Sequence, residues 1–188
     1  MKNLICVSAP SGSGKTTLCK AIRRLRPDLV WSVSCTTRGP RNGEINGEDY
    51  YFKTKEEFSV MIDKGEFAEW EKVHGNFYGT IKSKLNDSIK DNEIVLLELD
   101  VNGTVSIQKL YPNHSYSIFI IPPSINHLRN RLKNRGSETD EAIEKRLTRF
   151  DKEMKYKDQF DTLLINDNIE VAIKDFIIKV NQITKGVH

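Results

Sequence analysis

The sequence predicts a doubly wound α/β core with a parallel sheet, and three observations carry that expectation. Short continuous apolar runs, Leu4 to Val7, 94–99 (IVLLEL), 117–121 (SIFII) and 162–165 (TLLI), are separated by helical patterns, as parallel strands covered on both faces require. The first run passes directly into a glycine-rich turn, SAPSGSGKTT (Ser8 to Thr17), and then into a helical pattern, TTLCKAIRRL, with Leu18, Ile22 and Leu25 spaced for one face. At 188 residues the chain suits one good core with small satellites inserted into it.

Taken in order, the first helix ends at Pro27, which cannot continue it. Between roughly 34 and 90 the pattern changes to turn chemistry (RGPRNGEINGED), then short aromatic-rich strands (YYF, FAEWEKV, NFYGT) with one helix, KEEFSVMIDKG, among them. This reads as an insertion with a mixed sheet whose strands are expected to pair antiparallel. A charged helical stretch follows over 124–157, interrupted at Gly136, whose sparse apolar residues Leu128, Leu132, Ile143, Leu147 and Phe150 leave most of its surface to water or a ligand. The organisation expected is a core over 1–33 and 81–188, with the charged helical stretch at about 124–157 within it, and an insertion over 34–80.

Apolar residues make up 38% of the chain and charged residues 29%, with a net charge of +3, which excludes a disordered tail. The basic residues are interleaved with acids, so no nucleic-acid partner is expected. No run approaches a membrane span, and the short N-terminal apolar run enters a glycine loop directly. Cys6, Cys19 and Cys35 show no C-x-x-C pair and no histidine at metal spacing, so they read as buried thiols of a reducing compartment, and a cytoplasmic location is expected. The four histidines, including His74, show no ligand spacing.

SAPSGSGKTT nearly matches the phosphate-binding pattern G-x-x-x-x-G-K-[ST], in the strand–turn–helix context that pattern needs. Successive backbone N–H groups converge there on an anion, and the helix N-terminus adds its partial positive charge. Nucleotide phosphates are therefore expected along Ser8, Ala9, Pro10, Ser11, Gly12, Ser13, Gly14, Lys15, Thr16 and Thr17, mainly on the N–H row from about Ser11 to Thr17. Lys15 is expected to reach the β- and γ-phosphates, and the Thr16 hydroxyl to ligate Mg²⁺. Ala9 stands where the pattern begins with glycine, and a negative φ there would make its methyl group harmless. The run IVLLELDVNG supplies Glu98 and Asp100; Asp100, at the strand's C-terminal end, is expected to serve Mg²⁺, directly or through water, or else to cap the helix beginning near Asn102.

In the insertion, TTRGPRNGEINGEDYYF places Arg38 and Arg41 close together, followed by Tyr50. Two guanidinium forks and a phenol suit a phosphate monoester dianion, although a solvated basic loop has much the same composition. The stretch Ser32 to Phe52, with SAPSGSGKTT, GEFAEWEKVHGNFYGT and the RLKNRG segment, resembles the guanylate kinases from about Leu4 to Val180. The resemblance implies Mg²⁺-dependent transfer of the γ-phosphoryl of ATP to GMP, and to dGMP, giving ADP and GDP. It implies contact of Arg38, Arg41, Tyr50 and Tyr78 with the GMP phosphate, and of Ser34, Glu69, Thr80 and Asp100 with the guanine end. Chemistry agrees for Glu69, because guanine presents N1–H and an N2 amine side by side to one carboxylate, whereas adenine offers an unprotonated N1. Ser34 and Thr80 can donate to guanine O6. Without the resemblance, Glu69 would also read as a solvent-facing strand residue, alternating with Trp70.

The resemblance further makes the NRLKNRG segment a mobile lid, with Arg131 and Arg135 on the ATP phosphates and Arg146 near the transferred group, whereas Arg149 matches no family arginine. A charged helix face is the plainer reading of these arginines. Asn166, after the last strand, is implied to contact adenine, though asparagine is an ordinary turn residue there. Lys15, Arg38, Arg131, Arg135 and Arg146 are the expected catalytic set. ATP and GMP are the expected partners, with the chain a monomer or weak homo-oligomer. Two other classes remain: another nucleoside-monophosphate kinase, and a guanylate-kinase-like scaffold that binds phosphoproteins without catalysis.

Overall fold

In β1 (Leu4–Ser8) every residue is buried. Its alternating side chains divide between two cores: Ile5 and Val7 enter one, Leu4 and Cys6 the other. The reason is its central place in a five-stranded sheet, ordered β2 (Val30–Trp31), β7 (Val95–Glu98), β1, β8 (Ser115–Ile121) and β9 (Thr162–Ile165), with every pairing parallel. The computed structural model describes residues 2–73, 75–134 and 139–184.

Helices α1 (Lys15–Leu25) and α7 (Ile169–Thr184) supply Leu18, Ile22, Phe176 and Val180 to one core. The other core takes Leu85 from α3 (Lys82–Lys90) and Ile107 from α4 (Val101–Leu110). The fold class expected is present, with three differences in detail. Leu25, expected on the buried face of α1, is the last residue of that helix and is 57% exposed. The two-residue β2 carries too little pattern to be legible. Leu163 and Ile165 of the edge strand β9 are exposed, so cover on both faces stops at the last strand.

A second sheet has the order β4 (Tyr51–Phe52), β3 (Cys35–Thr36), β6 (Asn76–Ile81), β5 (Phe67–Val73). It is mixed: β3 and β4 are parallel, the other pairs antiparallel. Helix α2 (Lys55–Asp63) begins at Thr54, whose side chain and that of Glu57 each accept from the other's backbone N–H. It buries Phe58 completely, stacked on Phe67 at 4.4 Å and Phe77 at 5.5 Å, and this aromatic group is the small core of the inserted sheet.

The charged stretch forms α5 (Ile125–Asn134) and α6 (Asp140–Met154). Five of its apolar residues, Leu128, Leu132, Ile143, Leu147 and Phe150, form a satellite core of their own. Arg135, Gly136 and His74 lie outside the described residues. All three cysteines are free and buried. Among the described residues, no helix is long and apolar enough to cross a membrane.

Candidate active site

The phosphate loop joins β1 to α1, with Gly12 at φ +90° and Gly14 at φ +89°, conformations that favour glycine. Each glycine also permits a close approach: a Cβ at Gly12 would stand 2.8 Å from Leu128 of α5, and one at Gly14 would stand 2.5 Å from the Asn166 amide nitrogen. Ala9 is not at positive φ; among the described non-glycine residues only Asn92 is. The alanine is therefore unstrained, and the departure from the glycine pattern falls outside the curved part of the loop.

Helices α2, α4 and α6 begin on side-chain caps from Thr54, Asp100 and Thr139. Helix α1 begins on Gly14 with no side-chain cap and no acid in its first turn, so its N-terminal N–H groups and partial positive charge are directed to a ligand site. Gly14, Lys15, Thr16 and Thr17 line a cleft of about 450 Å³, together with Ala9, Pro10, Ser11, Gly12 and Ser13. Ser8 is fully buried in β1 and is not on the cleft wall.

Lys15 donates to the Leu99 carbonyl at 2.6 Å and stands 3.9 Å from Glu98. The Thr16 hydroxyl donates to Glu98 at 2.8 Å. Glu98, at the end of β7, is thus the carboxylate beside Thr16. Asp100 instead caps α4, accepting from the Gly103 N–H at 2.7 Å, and faces the opposite part of the cleft. The choice between these acids was not available to sequence reasoning, since both lie within the same strand-to-helix turn.

At that opposite part, Glu69 of β5 and Asp100 at the cap of α4 converge over Gly103, where a Cβ would stand 2.8 Å from the Glu69 carboxylate and 3.2 Å from that of Asp100. A register shift between Phe67 and Glu69 sets the strand's facing there. Burial pushes the Glu69 carboxyl from its ordinary 4.5 up to about 7; Asp100 and Glu71 push the same way, and a hydrogen bond from Thr80 opposes them. The Thr80 hydroxyl donates to Glu69, and Thr80 itself is 1% exposed, beneath Glu69 rather than on the cleft wall. Its hydroxyl is engaged in orienting that carboxylate. Ser34 lines the cleft with Tyr50 and Tyr78, whose rings meet edge-on at 6.1 Å.

Arg38 lies over the Tyr50 ring, 5.3 Å from its centroid, and gives a two-pronged hydrogen bond to Glu44 at 3.0 and 2.9 Å. Glu44 also accepts from the Arg41 N–H at 2.8 Å. The Arg41 residue itself is exposed and does not line the cleft. Sequence reasoning missed Glu44, for which the spacing RNGE in the turn was the available signal.

Helices α5 and α6 adjoin the phosphate loop, Leu128 of α5 standing against Gly12. Arg146 lines the cleft, and Arg131 donates to the Asp167 carbonyl at 2.6 Å. Asn166 is 4% exposed and donates to the Ser13 carbonyl at 2.8 Å, so it braces the underside of the phosphate loop. Among the described residues, no group of three or more His, Cys, Asp and Glu side chains gathers as a metal cage.

A parallel sheet bearing a phosphate loop, faced across one cleft by an inserted sheet with an acidic end, defines a phosphate-loop nucleotide kinase. A family model described as guanylate kinase matches residues 1–181. A guanylate kinase of Caldanaerobacter subterraneus subsp. tengcongensis is 42% identical over 171 residues, 91% of this chain and 82% of that protein. One of Prochlorococcus marinus subsp. pastoris is 43% identical over 177 residues, 94% and 96% of the two chains. The crystal structure of guanylate kinase from Anaplasma phagocytophilum superposes with a TM-score of 0.78 at 30% identity, covering 96% of this chain and 85% of that one. The chain belongs to the guanylate kinase family, whose reaction converts ATP and GMP to ADP and GDP.

Proposed function

We propose that the chain carries out this transfer with Mg²⁺, accepting dGMP as well as GMP, and that the cleft divides into an ATP end at the phosphate loop and a GMP end at the inserted sheet. The observation that carries the division is the pairing, in one cleft, of an uncapped helix N-terminus with the Glu69–Asp100 acidic pair. Anions suit the first, and the adjacent N–H donors of guanine suit the second.

At the GMP end, Glu69 accepts from guanine N1–H and the N2 amine while Thr80 holds it in place, and Asp100 and Ser34 complete the base contacts. Arg38, Tyr50 and Tyr78 receive the phosphate, with Arg41 joining from the turn. At the ATP end Lys15 and the N–H groups at the start of α1 bind the triphosphate, the Ser11 and Ser13 N–H groups of the expected row being held by Glu153 and the Pro10 carbonyl, and Arg131, Arg135 and Arg146 neutralise charge on the transferring group. The acceptor phosphate, with a second pKa of about 6, is largely dianionic at neutral pH and needs no general base. Catalysis is then positioning of two polyanions in line and neutralisation of spreading charge.

The Thr16 hydroxyl and Glu98 are hard oxygen ligands at the right end of the sheet for Mg²⁺, which ordinarily takes one or two carboxylates and completes its shell with substrate phosphates and water. Asp100 lies farther along the cleft and serves the base. When bound, Mg²⁺ supplies charge neutralisation to the phosphates. Buried free thiols support a reducing, cytoplasmic setting. ADP formation from MgATP, measured with each nucleoside monophosphate in turn, tests the assignment: GMP and dGMP are expected to turn over and AMP is not. Faster turnover with AMP overturns it.

A further inference from the structure

Helix α6 carries two carboxylate–cation pairs at the same i,i+4 spacing, in very different surroundings. Glu141 and Lys145 meet at 2.8 Å with side chains 79% and 75% exposed, an ordinary surface pair. Arg149 and Glu153 meet at 2.7 Å, but the Glu153 side chain is only 15% exposed and both residues line the cleft beside Arg146 and the phosphate loop. The second oxygen of Glu153 accepts from the backbone N–H of Ser11 at 2.9 Å, across 142 residues of chain. One rigid carboxylate therefore joins the outer lip of the phosphate loop to the Arg149 guanidinium and fixes their separation.

We infer that Arg149 is a further catalytic residue, contacting the transferring phosphoryl group of the nucleoside triphosphate, and that Glu153 is the residue that positions it. The inference rests on the reading of this cleft as a phosphoryl-transfer site. Negative charge spreads over the equatorial oxygens of the group in flight, and a planar guanidinium anchored through Nε to a carboxylate is pre-organised to meet them. Glu153 carries no charge suited to phosphate. Its role is to hold the arginine at the loop, which an isolated helical pair on a solvated face could not do. The family resemblance gives Arg149 no role.

The test uses the full chain with MgATP and saturating GMP, comparing Arg149→Ala, Arg149→Lys, Glu153→Ala and the Arg149→Ala/Glu153→Ala double variant. Arg149→Ala is expected to lower kcat about 10- to 100-fold, the range of one charge-assisted hydrogen bond lost from the transition state. Arg149→Lys should recover part of that. GMP affinity measured without ATP should stay at the wild-type value in every variant, which certifies folding. Glu153→Ala should lower kcat by a similar factor, and the double variant should be no worse than Arg149→Ala alone. Wild-type kcat in Arg149→Ala overturns the catalytic role, and full additivity in the double variant overturns positioning. Absence of transfer by the wild-type chain would instead overturn the reading of the cleft.

Discussion

The two ends of the cleft are built from different materials. At the phosphate loop the groups offered to a ligand are mainly backbone N–H, resting on a wholly buried strand and braced by Asn166. At the inserted sheet they are side chains, carried on strands as short as two residues over a core of stacked phenylalanines. Backbone donors suit phosphate, which every nucleotide has; the side chains of the inserted sheet suit the acceptor's phosphate and its base together, and only the base differs between nucleotides. The contrast teaches that the end shared by many substrates is tied to the main core, while the discriminating end sits on a thinner sheet where residues can be exchanged without disturbing that core.

Lys15→Ala attacks the shared end and has the largest expected effect: transfer should fall by about 10³-fold or more, as when a principal transition-state cation is lost. GMP binding, measured by calorimetry, should be unchanged. Loss of GMP binding in this variant would mean that the two ends are not separable.

Glu69→Gln sharpens the other side. An amide cannot accept from both guanine donors, so kcat/KM for GMP should fall by about 10²-fold, corresponding to a buried donor left unmet. The same variant carries a pH signature. With its carboxyl raised to about 7, Glu69 is increasingly protonated below that pH, so KM for GMP in the wild type should rise as pH falls from 7. Glu69→Gln should retain only the step of the GMP phosphate, near about 6. For stability the sign is opposite to that of an ion-paired acid: between 4.5 and about 7 the native state holds more protons than the unfolded chain, so Glu69 makes stability decline as pH rises through that window. Chemical denaturation at several pH values should show the decline flattened in Glu69→Gln.

Asn166→Ala gives the smallest expected effect. It leaves the Ser13 carbonyl without its buried partner, which costs about 1–3 kcal/mol, readable as a lower denaturation midpoint. Turnover should fall only modestly, because the N–H row itself is intact.

These differences also govern what was legible in the chain. The phosphate loop could be read because everything it needs is local: two glycines, a lysine and a threonine between a strand and a helix. The continuous apolar runs gave the parallel core for the same reason, since each strand reports its own burial. Glu69 could be placed at the base end only through family resemblance, because its meeting with Asp100 depends on a strand register shift and on the missing side chain of Gly103, features from separate parts of the chain. Glu44 and Glu153 were invisible because each is defined by a partner: Arg38 and the Arg41 N–H for one, Arg149 and the Ser11 N–H for the other. Asn166 was noticed in sequence, but the carbonyl it holds lies 153 residues away.

The three cysteines sit in the central strand, in the helix that follows the phosphate loop, and in the inserted sheet. Burial raises all three thiols, that of Cys35 to about 11, so none is a reactive thiolate in the closed fold. Each becomes a clock for its own region: a thiol reagent can modify it only when the surrounding structure opens. Cys35 should be labelled ahead of Cys6 and Cys19, because the thinner inserted sheet opens more readily than the main core. Added GMP should slow the Cys35 clock selectively, giving a readout of substrate-dependent tightening with no need for turnover.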